Sequence, residues 1–454
     1  MDRAIAEYFR CPEYYVQFDV KGEPSEKSGY FRFGPDLVCY GKTSGSQPSS
    51  VPHGKLPDVS DQITTEQGIT YVPFDIKEIS NNLTCEKYAD ASYYRPTRLD
   101  TALKRIYYTF RPMMPQTIRQ HLQQAWLTDW PRLHFPSWPV DSTVDRLFEQ
   151  LMLLALKSTK LDAIPFIWFW PDGAPSCAIV THDVETKLGR DFCETVMDLD
   201  DAHGIKSSFS IVPESRYEVT TRFLYSLLIR GFEVIVQDLN HDGFLFRDRK
   251  EYLSRVKKIN SYGKQYGATG FRSAVLYRNQ MWFDALDFSY DMSVPNIGHL
   301  EAQRGGCCTV MPYFVGNILE IPVTTTQDYA LFNYLKSHSI EHWNRQIQLI
   351  MKHHGVISFI VHPDYITKPL EWKVYEALLS RLAQLREQVG LWLPTAGQVD
   401  RWWRQRAAMV LREDQTGLRI EGEGSGRARI AYASVKNGQL SISIGTGPSQ
   451  SRAT

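Results

Sequence analysis

Three short apolar runs, each closing on side chains that can hold protons or metal ions, constrain this chain more than any other feature. Ala178-Ile179-Val180 leads into Thr181-His182-Asp183-Val184-Glu185. Gly231-Phe232-Glu233-Val234-Ile235-Val236 leads into Gln237-Asp238-Leu239-Asn240-His241-Asp242-Gly243. Ile357-Ser358-Phe359-Ile360-Val361 leads into His362-Pro363-Asp364. Runs this short, bounded by polar residues, suit buried strands. In parallel α/β sheets the C-terminal strand ends are where sites are built. A function for this chain rests on those three ends meeting in space.

The surrounding pattern agrees. From about Pro165 to Thr395, apolar runs near Ala178, Ser208, Val234, Thr269, Leu319 and Ile357 alternate with helical stretches. These are Arg190 to His203, Arg222 to Arg230, Asp248 to Tyr266, Glu341 to His353 and Leu370 to Gln388. Such alternation predicts an α/β fold with a parallel sheet, closed or open. Gly204, Gly231, Gly267 and Gly355 each stand between a helical stretch and a strand, where a helix C-cap glycine belongs. No glycine-rich phosphate loop follows the first strand, which argues against a dinucleotide or P-loop site.

Outside this region the chain is harder to read. Residues 1–98 form an N-terminal region with strand-like segments at Tyr14–Val20, Tyr30–Phe33 and Thr70–Ile76. Thr43 to Ser60 is rich in Ser, Gly and Pro and reads as a loop. Residues 99–160 read as a helical connector, with helical spacing in Thr117–Trp126 and more strongly in Val144–Leu156. The α/β region spans 161–400. Residues 405–454 alternate as a small β segment with a frayed tail.

Composition narrows the function classes. Lys+Arg and Asp+Glu balance at 51 each, so no electrostatic case exists for nucleic acid or an anionic membrane. The 7 Cys residues form no C-x-x-C pair and read as reduced thiols, the adjacent Cys307-Cys308 included. No stretch is long and apolar enough for a membrane span, and Met1–Glu7 is not a signal-peptide start. A cytoplasmic location is the expectation; the oligomeric state is open.

The chemistry follows from the spacing. Asp183 and Glu185 are separated by one residue and can turn into one pocket at a strand end. Gln237 and His241 are four apart and would share a side on a helical turn. A carboxylate, an imidazole and an amide oxygen can hold a divalent ion with a position left open. A second carboxylate beside it can take a proton from water, and His362 can act as acid.

Five pieces in order resemble the polysaccharide deacetylase family, the NodB-homology domain. Thr181–Glu185 is similar to its first motif, in which one Asp is the general base and a following Asp binds the metal. Gln237–His241 falls where the family has two histidines four apart. Gly270-Phe271-Arg272-Ser273 resembles the motif whose Arg orients the base. Tyr290-Asp291-Met292-Ser293-Val294-Pro295 looks like its Tyr-Asp-Ser-Ser segment. Ile360-Val361-His362-Pro363 resembles the last motif, whose His is the general acid. The resemblance covers Pro165 to Thr395. It implies a distorted (β/α) barrel of about seven strands. It also implies metal-dependent removal of N-acetyl groups from a sugar or polysaccharide. Asp183, Arg272 and His362 would be the catalytic residues, with Glu185, Gln237 and His241 around the metal. That metal would be zinc, with manganese or cobalt as alternatives.

The departures are specific. Glu185 replaces the metal-binding Asp, after an intervening Val184. Gln237 stands in place of the first histidine and supplies a harder, neutral donor. The family's aspartate that tunes the acid histidine has Asp328 as its candidate here. Two other readings stand beside hydrolysis of N-acetyl sugars. One is a degenerate deacetylase-fold protein that binds carbohydrate or acts as a scaffold. The other is a hydrolase for a small cytoplasmic amide.

Overall fold

The computed structural model describes residues 2–90, 130–415 and 417–445. Thr117–Trp126, expected to be helical, lies outside the described residues. Two compact units emerge: one drawn from 2–90, 142–175 and 401–445, the other from 130–141 and 176–400.

The second unit holds the three strand ends. Its sheet comprises β1 (Cys177–Val184), β2 (Ser208–Ile211), β3 (Glu233–Gln237), β4 (Gly270–Arg272), β5 (Tyr290–Asp291), β6 (Tyr313–Val315), β7 (Ile318–Glu320) and β8 (Val356–Ile360). The order across it is β6-β7-β5-β4-β3-β2-β1-β8. Every neighbouring pair is parallel except β6–β7. Among the described residues the two edge strands do not pair, so the sheet is an open half-barrel of eight strands. Every residue of β1 and β8 is buried, as expected for continuous apolar runs covered on both faces.

Helices α1 (Lys187–Ala202), α2 (Thr221–Ile229), α3 (Arg249–Tyr266), α4 (Asp328–Asn333), α5 (Glu341–Lys352) and α6 (Pro369–Val389) belong to the same unit. Their starts follow from local chemistry. Thr186, Thr220 and Asp248 each accept a backbone N–H from three residues on. Pro369 opens α6, where a missing N–H costs nothing. Gly267 closes α3 at φ +64°, as the C-cap reading requires. Gly355 differs: the left-handed residue after α5 is His354, at φ 58°. A Cβ on Gly355 would meet the Val310 backbone at 2.8 Å and its side chain at 2.5 Å. Close approach, not turn geometry, calls for glycine there. Leu378, Leu379 and Leu382 of α6 and Trp343, Ile347 and Ile350 of α5 pack into the core with the strands.

The first unit is built differently. Helix Thr143–Thr159 buries Val144, Leu147, Phe148, Leu151 and Met152. Strands Ala163–Ile167, Ile430–Lys436 and Gln439–Ile444 form an antiparallel sheet. Val410–Asp414 and Gly417–Glu421 make a hairpin. In the segment expected as a Tyr14–Val20 strand, only Phe18–Val20 is a strand; Glu13–Tyr15 is a 3-10 turn after Pro12. The Thr70–Ile76 strand also stops early, at Val72. Asp75 then caps a helix over Ile76–Thr84 by accepting the Glu78 N–H at 2.7 Å. Among the described residues, no helix is long and apolar enough to cross a membrane.

Candidate active site

The base candidate is part of a buried ion pair. Asp183 lies in β1 and Arg272 at the end of β4. Arg272 Nη1 is 2.5 Å from Asp183 Oδ1 and 2.8 Å from Thr181 Oγ1, and its Nε donates to the Met292 carbonyl. Arg272 is fully buried. A guanidinium there demands acceptors on every edge, and Asp183, Thr181 and Met292 supply them. The same contacts fix the carboxylate's orientation.

The acid candidate has its own carboxylate. His362 directly follows the strand end of β8. Its Nδ1 is 2.7 Å from Asp328 Oδ1, and its backbone N–H donates to Asp328 Oδ2 at 2.7 Å. Burial pulls the His362 imidazole down, but the Asp328 and Glu185 carboxylates outweigh it and hold its pKa well above the usual value. Tyr365 covers one face of the ring, 4.7 Å between centroids. Asp328, carried on the first turn of α4, is thus the partner of His362.

Glu185 is the hub between them. Its Oε1 is 2.7 Å from His241 Nε2, 3.5 Å from His362 Nε2 and 3.3 Å from Gln237 Nε2. Burial pushes the Glu185 carboxyl up, and the His241 and His362 imidazoles more than reverse this, holding its pKa well below the ordinary range. Gln237 closes β3 and pairs in register with Arg272. Its Nε2 also donates to Asp183 Oδ2 at 3.0 Å. All six residues singled out in the sequence therefore lie in one linked group.

One expectation fails locally. Gln237 and His241 do not lie on a helical turn. They flank a tight loop in which Asp238 (φ 51°) and His241 (φ 56°) are left-handed. The Asp238 N–H is committed to the Arg272 carbonyl, so the backbone continues the sheet before it turns. Two neighbours carried no sequence signal. Arg216 brings Nη2 to 3.4 Å from His241 Nδ1, and Tyr365 packs on His362. An arginine in a loop and a tyrosine after a Pro-Asp pair look ordinary until the chain is folded.

No family model matches the chain. No curated protein matches it either. Solved structures do. A protein assigned as a polysaccharide deacetylase in Mycobacterium smegmatis has 15% identity and a TM-score of 0.43, over 52% of this chain and 93% of that one. The Puue allantoinase has 11% identity and a TM-score of 0.42, over 52% and 92%. A family 4 acetyl xylan esterase from Clostridium thermocellum, in complex with a cobalt ion, has 14% identity and a TM-score of 0.32, over 50% and 91%. Two further matches are described as a polysaccharide deacetylase of Pseudomonas aeruginosa PAO1 and a peptidoglycan deacetylase of Bacillus subtilis.

Whether the residues present suit a divalent ion is decided by the unsatisfied atoms. His241 Nε2 and Gln237 Oε1 are buried without a hydrogen-bond partner. The His241 nitrogen is close to Glu185 Oε1 but off the line of a hydrogen bond. Buried polar atoms of this kind call for an ion, a proton or water. It is the Gln237 nitrogen that faces Glu185 here; with the amide reversed, Glu185, Gln237 and His241 would form an O, O, N donor set, which suits zinc less than imidazoles would and harder ions better. The Gln237 amide must be turned for its oxygen to face Glu185, and its two ends are interchangeable in shape. On that condition the set fits. A second grouping overlaps it: donor atoms of Asp183, Glu185 and His362 lie within 4.8 Å of one another. Asp183 and His362 already have Arg272 and Asp328 as oriented partners, which suits them to proton transfer.

Proposed function

We propose that the chain is a hydrolase of amide carbon–nitrogen bonds that removes N-acetyl groups from a sugar or polysaccharide. The observation that carries this reading is the pairing of two oriented dyads, Asp183–Arg272 and His362–Asp328, on either side of Glu185. One dyad sets a carboxylate against a guanidinium, and the other holds an imidazole whose pKa its carboxylate partner raises. General-base and general-acid steps need that combination at neutral pH.

Asp183 takes a proton from the attacking water, while Arg272 fixes the carboxylate so that Oδ2 does the accepting. In the amide orientation described above, Gln237 Nε2 occupies Oδ2. Turning the amide frees that oxygen and presents the Gln237 carbonyl to the metal position. Glu185, Gln237 and His241 would hold the ion. When bound, a divalent ion supplies electrophilic stabilisation to the acyl carbonyl oxygen. His362 gives its Nε2 proton to the departing amine as the carbon–nitrogen bond breaks. Its Nδ1–H stays on Asp328, which keeps the tautomer and ring plane fixed. The products are acetate and a free amine.

The test is acetate release from a panel of N-acetylated oligosaccharides by protein loaded with zinc, manganese or cobalt. Wild-type turnover that is lost in both Asp183→Asn and His362→Gln supports the reading. A second reading, a degenerate carbohydrate-binding or scaffold protein, is favoured by the Gln237 amide donating to both carboxylates where a cation would sit. Unaltered sugar binding with no acetate release under any metal would select it.

A further inference from the structure

His182 lies between Thr181 and Asp183, and strand alternation places it on the opposite face of β1 from the base. It is fully buried, with Phe209 and Tyr375 against its ring. Its Nδ1 is 3.1 Å from the Val361 carbonyl. A carbonyl can only accept, so Nδ1 carries a proton. The other nitrogen, Nε2, is 3.1 Å from Tyr375 Oη and 3.3 Å from Asp200 Oδ2. Asp200 also accepts from the Tyr375 hydroxyl and, at 2.6 Å, from the Ser207 hydroxyl. Asp200, Ser207 and Tyr375 are themselves buried, from α1, the approach to β2, and α6. A buried polar network this complete holds its members to one arrangement.

The bond to Val361 acts at a particular place. The β1–β8 ladder ends at the Thr181–Ile360 pair. Beyond it, the Val361 N–H donates to the Thr181 carbonyl at 2.9 Å, and Thr181 Oγ1 donates to the Phe359 carbonyl at 2.7 Å. His182 adds the last link, to the residue immediately before His362. Side chains from both faces of β1 thus clasp the end of β8, at the points where Asp183 and His362 begin.

We propose that His182 is a positioning residue: through Val361 it sets His362 against Asp183, and the Asp200–Tyr375 pair fixes its ring. This role rests on reading Asp183 and His362 as base and acid.

Three variants and two readouts test it. His182→Phe keeps the bulk and removes both ring nitrogens. His182→Asn keeps a donor where Nδ1 was. Tyr375→Phe removes only the outer hydroxyl and guards against a folding failure in the other two. For His182→Phe, kcat falls by about 10² with KM unchanged, the cost of a small misplacement of reacting groups. His182→Asn recovers most of that loss, and Tyr375→Phe loses a few-fold, roughly. Residue-resolved amide exchange, read without substrate, shows Val361 losing protection by about tenfold in His182→Phe while the middle of β8 is unchanged. An unchanged kcat in His182→Phe, or Asn no better than Phe, overturns the role. Unchanged Val361 protection overturns the clasp itself. A wild type with no turnover removes the reaction reading and this role with it, while the exchange data still decide whether the clasp exists.

Discussion

Asp328 holds His362 at two points: Oδ1 stands 2.7 Å from the ring Nδ1, and Oδ2 accepts the backbone N–H of the same residue. One carboxylate therefore fixes both where the imidazole starts and which nitrogen keeps its proton. Asp328→Asn removes the charge and leaves the shape. The His362 pKa then falls, because an adjacent opposite charge supports the imidazolium. The alkaline limb of the kcat/KM profile should move to lower pH by about one to two pH units. A limb that stays in place would show that another group supplies the proton.

Asp183→Asn should cut turnover by about 10² to 10⁴. It should also lower Tm, since Arg272 is left buried beside a neutral partner. Removing one member of a buried pair costs about 3–5 kcal/mol. Adding Arg272→Met to Asp183→Asn should return part of the stability and none of the activity. Calorimetry of the single and double variants, beside the acetate assay, separates the two effects.

Metal content gives a third check. Protein incubated with zinc, manganese or cobalt should retain about one ion per chain, lost in Glu185→Ala/His241→Ala. Gln237→His should raise zinc affinity about tenfold, equivalent to about 1.4 kcal/mol by titration calorimetry. Equal zinc affinity in both proteins would mean that Gln237 takes no part in binding.

Away from the dyads, Asp291 of β5 and Glu320 of β7 face each other in register, both fully buried. Burial raises both carboxyls, and the Asp291 charge raises Glu320 further. The folded chain therefore keeps a proton that the unfolded chain has released at the same pH. Stability is present in full below the unfolded carboxylate range and is lost as pH rises through the folded pKa. The slope can reach about 1.4 kcal/mol per pH unit for each proton. Glu320→Gln should flatten it in denaturant titrations from about pH 5 to about pH 9.

Much of this site was legible in the residues because strand ends announce themselves. An apolar run that stops abruptly on Asp, Gln or His states both its burial and where its chemistry begins. The helices between were equally readable, with Gly204, Gly231 and Gly267 marking where three of them end. Pairings between distant segments were not. Nothing local in Ala163–Ile167 says that it lies beside Ile430–Lys436. The spacing of Gln237 and His241 suggested a helical turn because a count of four cannot distinguish that from a loop with two left-handed residues. His182 carries no local mark of its contacts, since an imidazole aimed at the Val361 carbonyl and the Asp200 carboxylate looks, in sequence, like any buried ring.

The Gln237 side chain has a genetic consequence. Codons for glutamine and histidine differ only in their third base, so a single point mutation exchanges the amide for an imidazole. The carboxylates, His241 and the dyads on either side need not change identity for that exchange. A lineage carrying this chain stands one nucleotide from the histidine pair of the deacetylase motif.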